Sequence, residues 1–179
     1  DVVMPNPVSS GTGYLQIAAL LQSKGDEKGW AFLKSLDGNI AQYTKSGSRP
    51  CKAARTGEYA IGVSLAFAAM QSIEEGYPVE MVIPKDGAGY ELEASGLMKA
   101  SKNKADAKRF LDWTLSGNAA TRYTKYKEIV TIPGVPQSQA AKAAGLPADL
   151  SKVLYPVDFA KSAKERDTIL ATWQKTIGR

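Results

Sequence analysis

Apolar and polar positions in this chain switch between two periods, and the switches predict the elements. Residues 2–4 (Val2-Val3-Met4) are a continuous apolar run, followed by the loop Pro5-Asn6-Pro7-Val8-Ser9-Ser10-Gly11-Thr12-Gly13 and an amphipathic run over 14–22. Strand, tight loop and helix are the expectation. A second helix is predicted from an N-cap at Asp26 through Trp30, Phe32, Leu33 and Leu36, stopped by Asp37-Gly38. Residues 39–44 alternate as a strand, 45–50 form a Ser/Gly loop, and 51–55 open a helix with Ser48 as its cap and Pro50 in its first turn. A third strand is expected over 59–63, a helix over 65–75 with Phe67, Met70 and Ile73 inward, and a fourth strand over 79–83.

Residues 1–84 thus read as repeated β-α units, an α/β fold with a mainly parallel sheet flanked by helices. Beyond them, 85–90 is a glycine-rich connection and 91–98 an extended segment. From Asn103 the pattern turns helical: 104–116 with Ala107, Phe110, Leu111 and Leu115 on one face, 118–127, and 164–177 with Ile169, Leu170 and Trp173. Residues 129–132 are a short extended piece between them.

In parallel sheets of this kind ligands bind outside the carboxyl ends of the strands. Ser9, Ser10, Thr12, Ser46, Ser48 and Ser64 would all sit there. The opening loop places hydroxyls and glycines where a helix begins, and the first N–H groups of a helix lack partners and carry partial positive charge. Such a loop suits a phosphate, phosphonate, sulfate or carboxylate; ordinary N-capping explains the same residue types. The Gly-Lys-Ser/Thr ending of a P-loop is missing. Glu91 and Glu93, at i and i+2, share one strand face, which serves acid–base chemistry, a cation, a ligand ammonium or plain solvation. Tyr123 and Tyr126, three apart beside lysines, read as packing aromatics rather than a ligand pair.

Composition narrows the chemistry. The 179 residues include no histidine, which removes Ser-His-Asp and Cys-His sites and the commonest zinc ligand. Cys51 is the single cysteine, so an intrachain disulfide is excluded; its place in a helix first turn could favour a thiolate, but packing is the plainer reading. The net charge of +5 is spread among acidic residues without a basic aromatic stripe, so nucleic acid is not expected as a partner. No apolar run reaches the roughly 18 residues of a membrane span. No signal peptide is visible, and a chain opening at Asp1 in a strand reads as a mature form or a piece of a longer protein.

Three motifs in order carry a resemblance. Pro5-Asn6-Pro7-x-Ser9-Ser10-Gly11-Thr12-Gly13, Ser46-Gly47-Ser48-Arg49-Pro50 and Gly57-Glu58-Tyr59-Ala60-Ile61-Gly62-Val63-Ser64 resemble the solute-binding proteins of bacterial ABC importers. The likeness is to the ferric-iron-binding-protein-like group, and within it to members for 2-aminoethylphosphonate, phosphonate or hexose phosphate. Residues 105–113 resemble the helix these proteins carry after the chain returns to the first lobe.

The resemblance implies a partial type 2 periplasmic-binding fold. Residues 1–84 would be the second lobe with the anion-binding loops. Residues 85–179 would hold the hinge crossing, near 84–93, and the largely helical C-terminal part of the first lobe, whose N-terminal part is missing. The remaining first-lobe elements should then expose apolar surface. The implied protein is periplasmic and not an enzyme. It is monomeric when full length, carries no cofactor or metal, and takes a small anionic solute (a phosphonate or phosphate ester) to a membrane ABC permease. Ser9, Ser10, Gly11 and Thr12 would hold the phosphoryl or phosphonyl oxygens, Ser46 and Ser48 would contribute from the second loop, and Ser64 would floor the cleft. Tyr90 and Glu91 would meet a ligand ammonium at the hinge. The iron-binding members use adjacent tyrosines, whereas Leu65-Ala66-Phe67-Ala68 follows Ser64 here. Phosphonate-type relatives often have an acidic and an aromatic residue where Ala66 and Phe67 stand. The rival functions are a ferric-iron carrier with a synergistic anion, a phosphate-ester enzyme, and an interaction module without a small ligand.

Overall fold

A computed structural model describes residues 1–125 and 129–179. Tyr126 and Lys127, at the end of the expected 118–127 helix, lie outside the described residues. Three parallel strands, β1 (Val2–Pro5), β2 (Ile40–Thr44) and β3 (Ile61–Gly62), form a sheet in the order β2-β1-β3. β1 is central, and Val3, Met4 and Pro5 are buried. A strand covered on both faces needs apolar residues at successive positions, which is why this run does not alternate.

Helices α1 (Gly11–Lys24) and α2 (Asp26–Asp37) connect β1 to β2, and α3 (Arg49–Arg55) connects β2 to β3. The second crossover runs back past β1. Right-handed crossovers therefore put α1 and α3 on opposite faces of the sheet. Gly25 breaks α1 from α2 with φ at 75°, a conformation that favours glycine. It also takes the N-cap position expected for Asp26, which becomes the first residue of α2.

Helix α4 (Ala66–Glu74) follows β3, and α5 (Lys104–Thr114), α6 (Gly117–Lys125), α7 (Gln139–Ala143), a 3-10 turn (Leu150–Lys152) and α8 (Phe159–Thr176) complete the order. Two cores result. Tyr14, Ile17, Ala18 and Leu21 of α1 and Leu33 of α2 close on Ile169 and Trp173 of α8. Met70 of α4 packs with Ala140, Ala141, Ala144 and Leu146, around and after α7. The C-terminal helices α7 and α8 therefore complete the cores of the first 84 residues.

Residues 79–83 do not form the expected fourth strand. Their alternation is real, because Met81 and Ile83 pack on the second core while Glu80 and Val82 face out. Alternation reports which side chains are buried, and among the described residues this backbone pairs with no strand. β3 is two residues long, shorter than the expected 59–63, and lies at the edge of the sheet, where Ile61 is 57% accessible. Residues 91–98 and 129–132 likewise form no strand.

Side-chain bonds lock α8 in place. Gln22 accepts from Asp158 N–H (2.9 Å) and donates to Ser162 Oγ (2.9 Å), and the Tyr14 hydroxyl donates to Ser162 O. Burial raises the Tyr14 phenol above its ordinary value against the opposing effect of Arg166. Tyr43 is raised further, by burial first and then by its 2.8 Å hydrogen bond to Asp37. Both phenols stay protonated above the pH at which free tyrosine ionises. Among the described residues no helix is long and apolar enough to cross a membrane.

Helices α5 and α6 differ from the rest. No residue of α5 is buried, Phe110 stacks on Trp113 at 5.8 Å, and Phe110, Trp113 and Leu115 are 61%, 41% and 74% accessible. The Tyr123 hydroxyl donates to Thr114 O and ties α6 to α5. The apolar stripe read from the sequence is present but faces solvent.

Candidate functional site

The opening loop is shaped by Asn6. Its side-chain oxygen accepts from Val8 N–H (2.8 Å) and its carbonyl from Ser10 N–H (2.9 Å). The chain thus turns straight from β1 into α1. Ser10 is the N-cap, with extended backbone and its hydroxyl accepting from Gly13 N–H (3.3 Å). A Cβ on Gly13 would stand 2.7 Å from Pro5 O and 2.8 Å from the Asn6 carbonyl carbon. Only glycine lets the first turn of α1 sit this close to the end of β1. Among the described residues no protein acceptor meets the N–H groups of Gly11 and Thr12. These are the orphan donors that a helix N-terminus offers to an anion. Thr12 is partly exposed and its hydroxyl engages none of the described residues, while Ser9 is exposed.

The second loop lies against the first. A Cβ on Gly47 would be 2.2 Å from Thr12 Oγ1 and 2.7 Å from Thr12 Cβ. Gly47 therefore touches the Thr12 side chain directly. Thr44 Oγ1 donates to Ser46 O (2.8 Å), and the Ser46 and Ser48 hydroxyls pair at 3.2 Å. Ser48 occupies the N-cap position of α3 but makes no capping bond. The third strand end joins through Ser64, whose hydroxyl donates to Gly47 O at 2.6 Å. Three loops at the carboxyl ends of β1, β2 and β3 thus meet at Gly47.

The six hydroxyl residues read from the sequence hold different positions in this arrangement. Thr12, Ser46, Ser48 and Ser64 are gathered around Gly47, with Ser9 and Ser10 on the adjoining loop. The acceptor capacity of Ser10 is committed to the cap, and the donor of Ser64 to Gly47. Among the described residues no hydrogen bond joins Tyr90 or Glu91 to this cluster. The connection before them is pressed on the side of α1, where a Cβ on Gly89 would be 2.5 Å from Ala19 Cβ. It is also pinned by Lys24, which bonds Asp86 at 2.8 Å and holds that carboxyl below its ordinary range. Tyr90 packs edge-on against Phe159, with centroids 5.4 Å apart, and Glu91 and Glu93 are exposed. Cys51 is buried beside Ser72 Oγ at 3.6 Å, a packing position. Sequence reasoning missed Gly47 and Thr44. The Ser-Gly-Ser spacing drew attention to the hydroxyls, whereas the glycine between them makes the contact.

The chemistry available is donation from backbone N–H groups and hydroxyls. Among the described residues no group of three or more Cys, Asp or Glu side chains gathers as a metal site would require.

The family model for bacterial extracellular solute-binding proteins matches residues 1–162. The chain belongs to that family. AfuA of Actinobacillus pleuropneumoniae, a periplasmic binding protein solved with exogenous fructose 6-phosphate bound, is similar to it at TM-score 0.86 and 34% identity, covering 99% of this chain and 56% of AfuA. A Haemophilus influenzae protein with no stated function is 30% identical over 177 residues, 99% of this chain and 51% of the relative. This solute-binding protein chain therefore spans about half the length of the relatives it matches.

Proposed function

We propose that this chain is the phosphate-gripping part of the solute-binding component of an ABC importer, working in the periplasm and delivering its solute to a membrane permease. The solute is a small phosphate ester, of which a hexose phosphate is the first choice, or a phosphonate. The observation that carries this reading is the pair of N–H groups at Gly11 and Thr12, unpartnered among the described residues, with the Thr12 hydroxyl beside them and Ser9, Ser46 and Ser48 at the same end of the sheet. A dianionic head group there gains charge-assisted hydrogen bonds and the favourable end of the α1 dipole. The fructose 6-phosphate bound to AfuA supports the ester over the phosphonate. No bond is made or broken in the reading; the chain binds and releases.

Isothermal titration with fructose 6-phosphate, 2-aminoethylphosphonate, inorganic phosphate and ferric citrate tests it. Fructose 6-phosphate is expected to bind. Thr12→Ala should weaken it roughly 10- to 100-fold, the size of one hydrogen bond to a charged group. Binding of ferric citrate alone, or of no phosphorylated compound, overturns the reading.

A two-lobe division belongs to the same proposal. Residues 1–84, with α7 and α8 completing their cores, act as the second lobe, and α5 and α6 belong to the other lobe. Their exposed face at Phe110, Trp113 and Leu115 is the surface that the rest of that lobe would cover. The relatives have the length to supply it. An exposed apolar face of this kind should bind the dye ANS, and Phe110→Ser with Leu115→Ser should remove most of that fluorescence while the melting temperature holds. Unchanged dye binding in the double variant counts against the assignment.

A further inference from the structure

We infer that Ser64 is a positioning residue for the second loop rather than a direct ligand of the solute. The inference rests on the proposed anion site and assigns the donors that Ser64 controls. A trans peptide is planar, so the C=O of one residue and the N–H of the next point in opposite directions. Ser64 Oγ holds the Gly47 carbonyl at 2.6 Å. The Ser48 N–H is thereby turned away from Ser64. Thr44 Oγ1 holds the preceding carbonyl, Ser46 O, at 2.8 Å, which turns the Gly47 N–H away from Thr44 in the same manner. Among the described residues no protein acceptor meets either N–H. Two hydroxyls at the ends of β2 and β3 therefore act from behind the loop, anchoring two carbonyls and leaving two amides for the anion. Gly47 lies on Thr12 at the same point, so these donors and those of α1 belong to one site.

In this arrangement a serine at the end of β3 serves binding although its own proton is already committed. Threonine at 64 keeps the hydroxyl and the latch; alanine loses both.

The test uses the whole chain, with fructose 6-phosphate and inorganic phosphate as probes, in parent, Ser64→Ala and Ser64→Thr. Affinity is read by titration calorimetry and the Ser48 amide by nitrogen–proton NMR in the ligand-free protein. Ser64→Ala is expected to weaken fructose 6-phosphate about tenfold and to move the Ser48 amide resonance before any ligand is added. Ser64→Thr should restore both. Unchanged affinity in Ser64→Ala overturns the inference. So does a loss of affinity with the Ser48 amide unmoved in the free protein, because Ser64 would then touch the ligand itself. If the parent binds neither probe, the proposed function fails. The latch is then judged by the Ser48 amide alone: it stands if Ser64→Ala moves that resonance and falls if it does not.

Discussion

Gly47→Ala is expected to weaken fructose 6-phosphate binding by at least about 100-fold, the equivalent of two charge-assisted hydrogen bonds. The added Cβ would stand 2.2 Å from Thr12 Oγ1 and 2.7 Å from Thr12 Cβ. Rotating the Thr12 side chain moves the hydroxyl but not its Cβ, so the loop itself must retreat from α1. Retreat strains the Ser64 bond to Gly47 O and separates the loop amides from the α1 amides. One methyl group thus affects both halves of the site. Gly117→Ala is the matched control, because a Cβ there meets nothing within 4 Å. Calorimetry with the same ligand decides the matter. Affinity within about threefold of the parent would mean that the two loops do not bind one anion together.

Trp173→Ala is expected to produce the largest loss of stability, about 3–5 kcal/mol, seen as a fall of roughly 10 °C in melting temperature for a chain of this length. Trp173 is fully buried in the core built from α1, α2 and α8. Its ring meets Tyr43 edge-on at 5.3 Å, an arrangement that adds to simple burial. Among the described residues its indole N–H has no partner. Truncation therefore forfeits no hydrogen bond to a described residue, and the loss is that of packing, the Tyr43 ring contact and the cavity left behind. Trp173→Phe should recover more than half of the stability by refilling most of the space. A melting temperature unchanged in Trp173→Ala would show that α8 does not close this core. The effect also bears on the proposed site: α8 holds Tyr14 and Gln22 of α1, and α1 carries the Gly11 and Thr12 N–H groups.

Much of this was legible from residue order because the forces involved are local. The apolar run of β1, the caps and glycines around α1 and the repeated β-α pattern each act over a few residues. So the strand–loop–helix units and the placement of Ser9, Ser10, Thr12, Ser46, Ser48 and Ser64 at strand ends could be read directly. Residues 79–83 mark the limit. Their pattern carried burial information, but a strand needs a neighbour, and periodicity says nothing about neighbours. Helix α5 marks another: its stripe at Phe110 and Leu115 announced an apolar face without saying what covers it.

The sequence by itself determined the α/β character, the parallel arrangement and the hydroxyl- and glycine-rich loop that opens α1, since propensity, capping and glycine freedom are properties of short segments. The tertiary structure decided which donors are free. The proton of Ser64 is committed to Gly47 O and the oxygen of Ser10 to Gly13 N–H, while the amides of Gly11, Thr12, Gly47 and Ser48 meet no acceptor among the described residues. That allocation depends on distances between residues 12, 47 and 64, which only the packing of three strands side by side brings within reach.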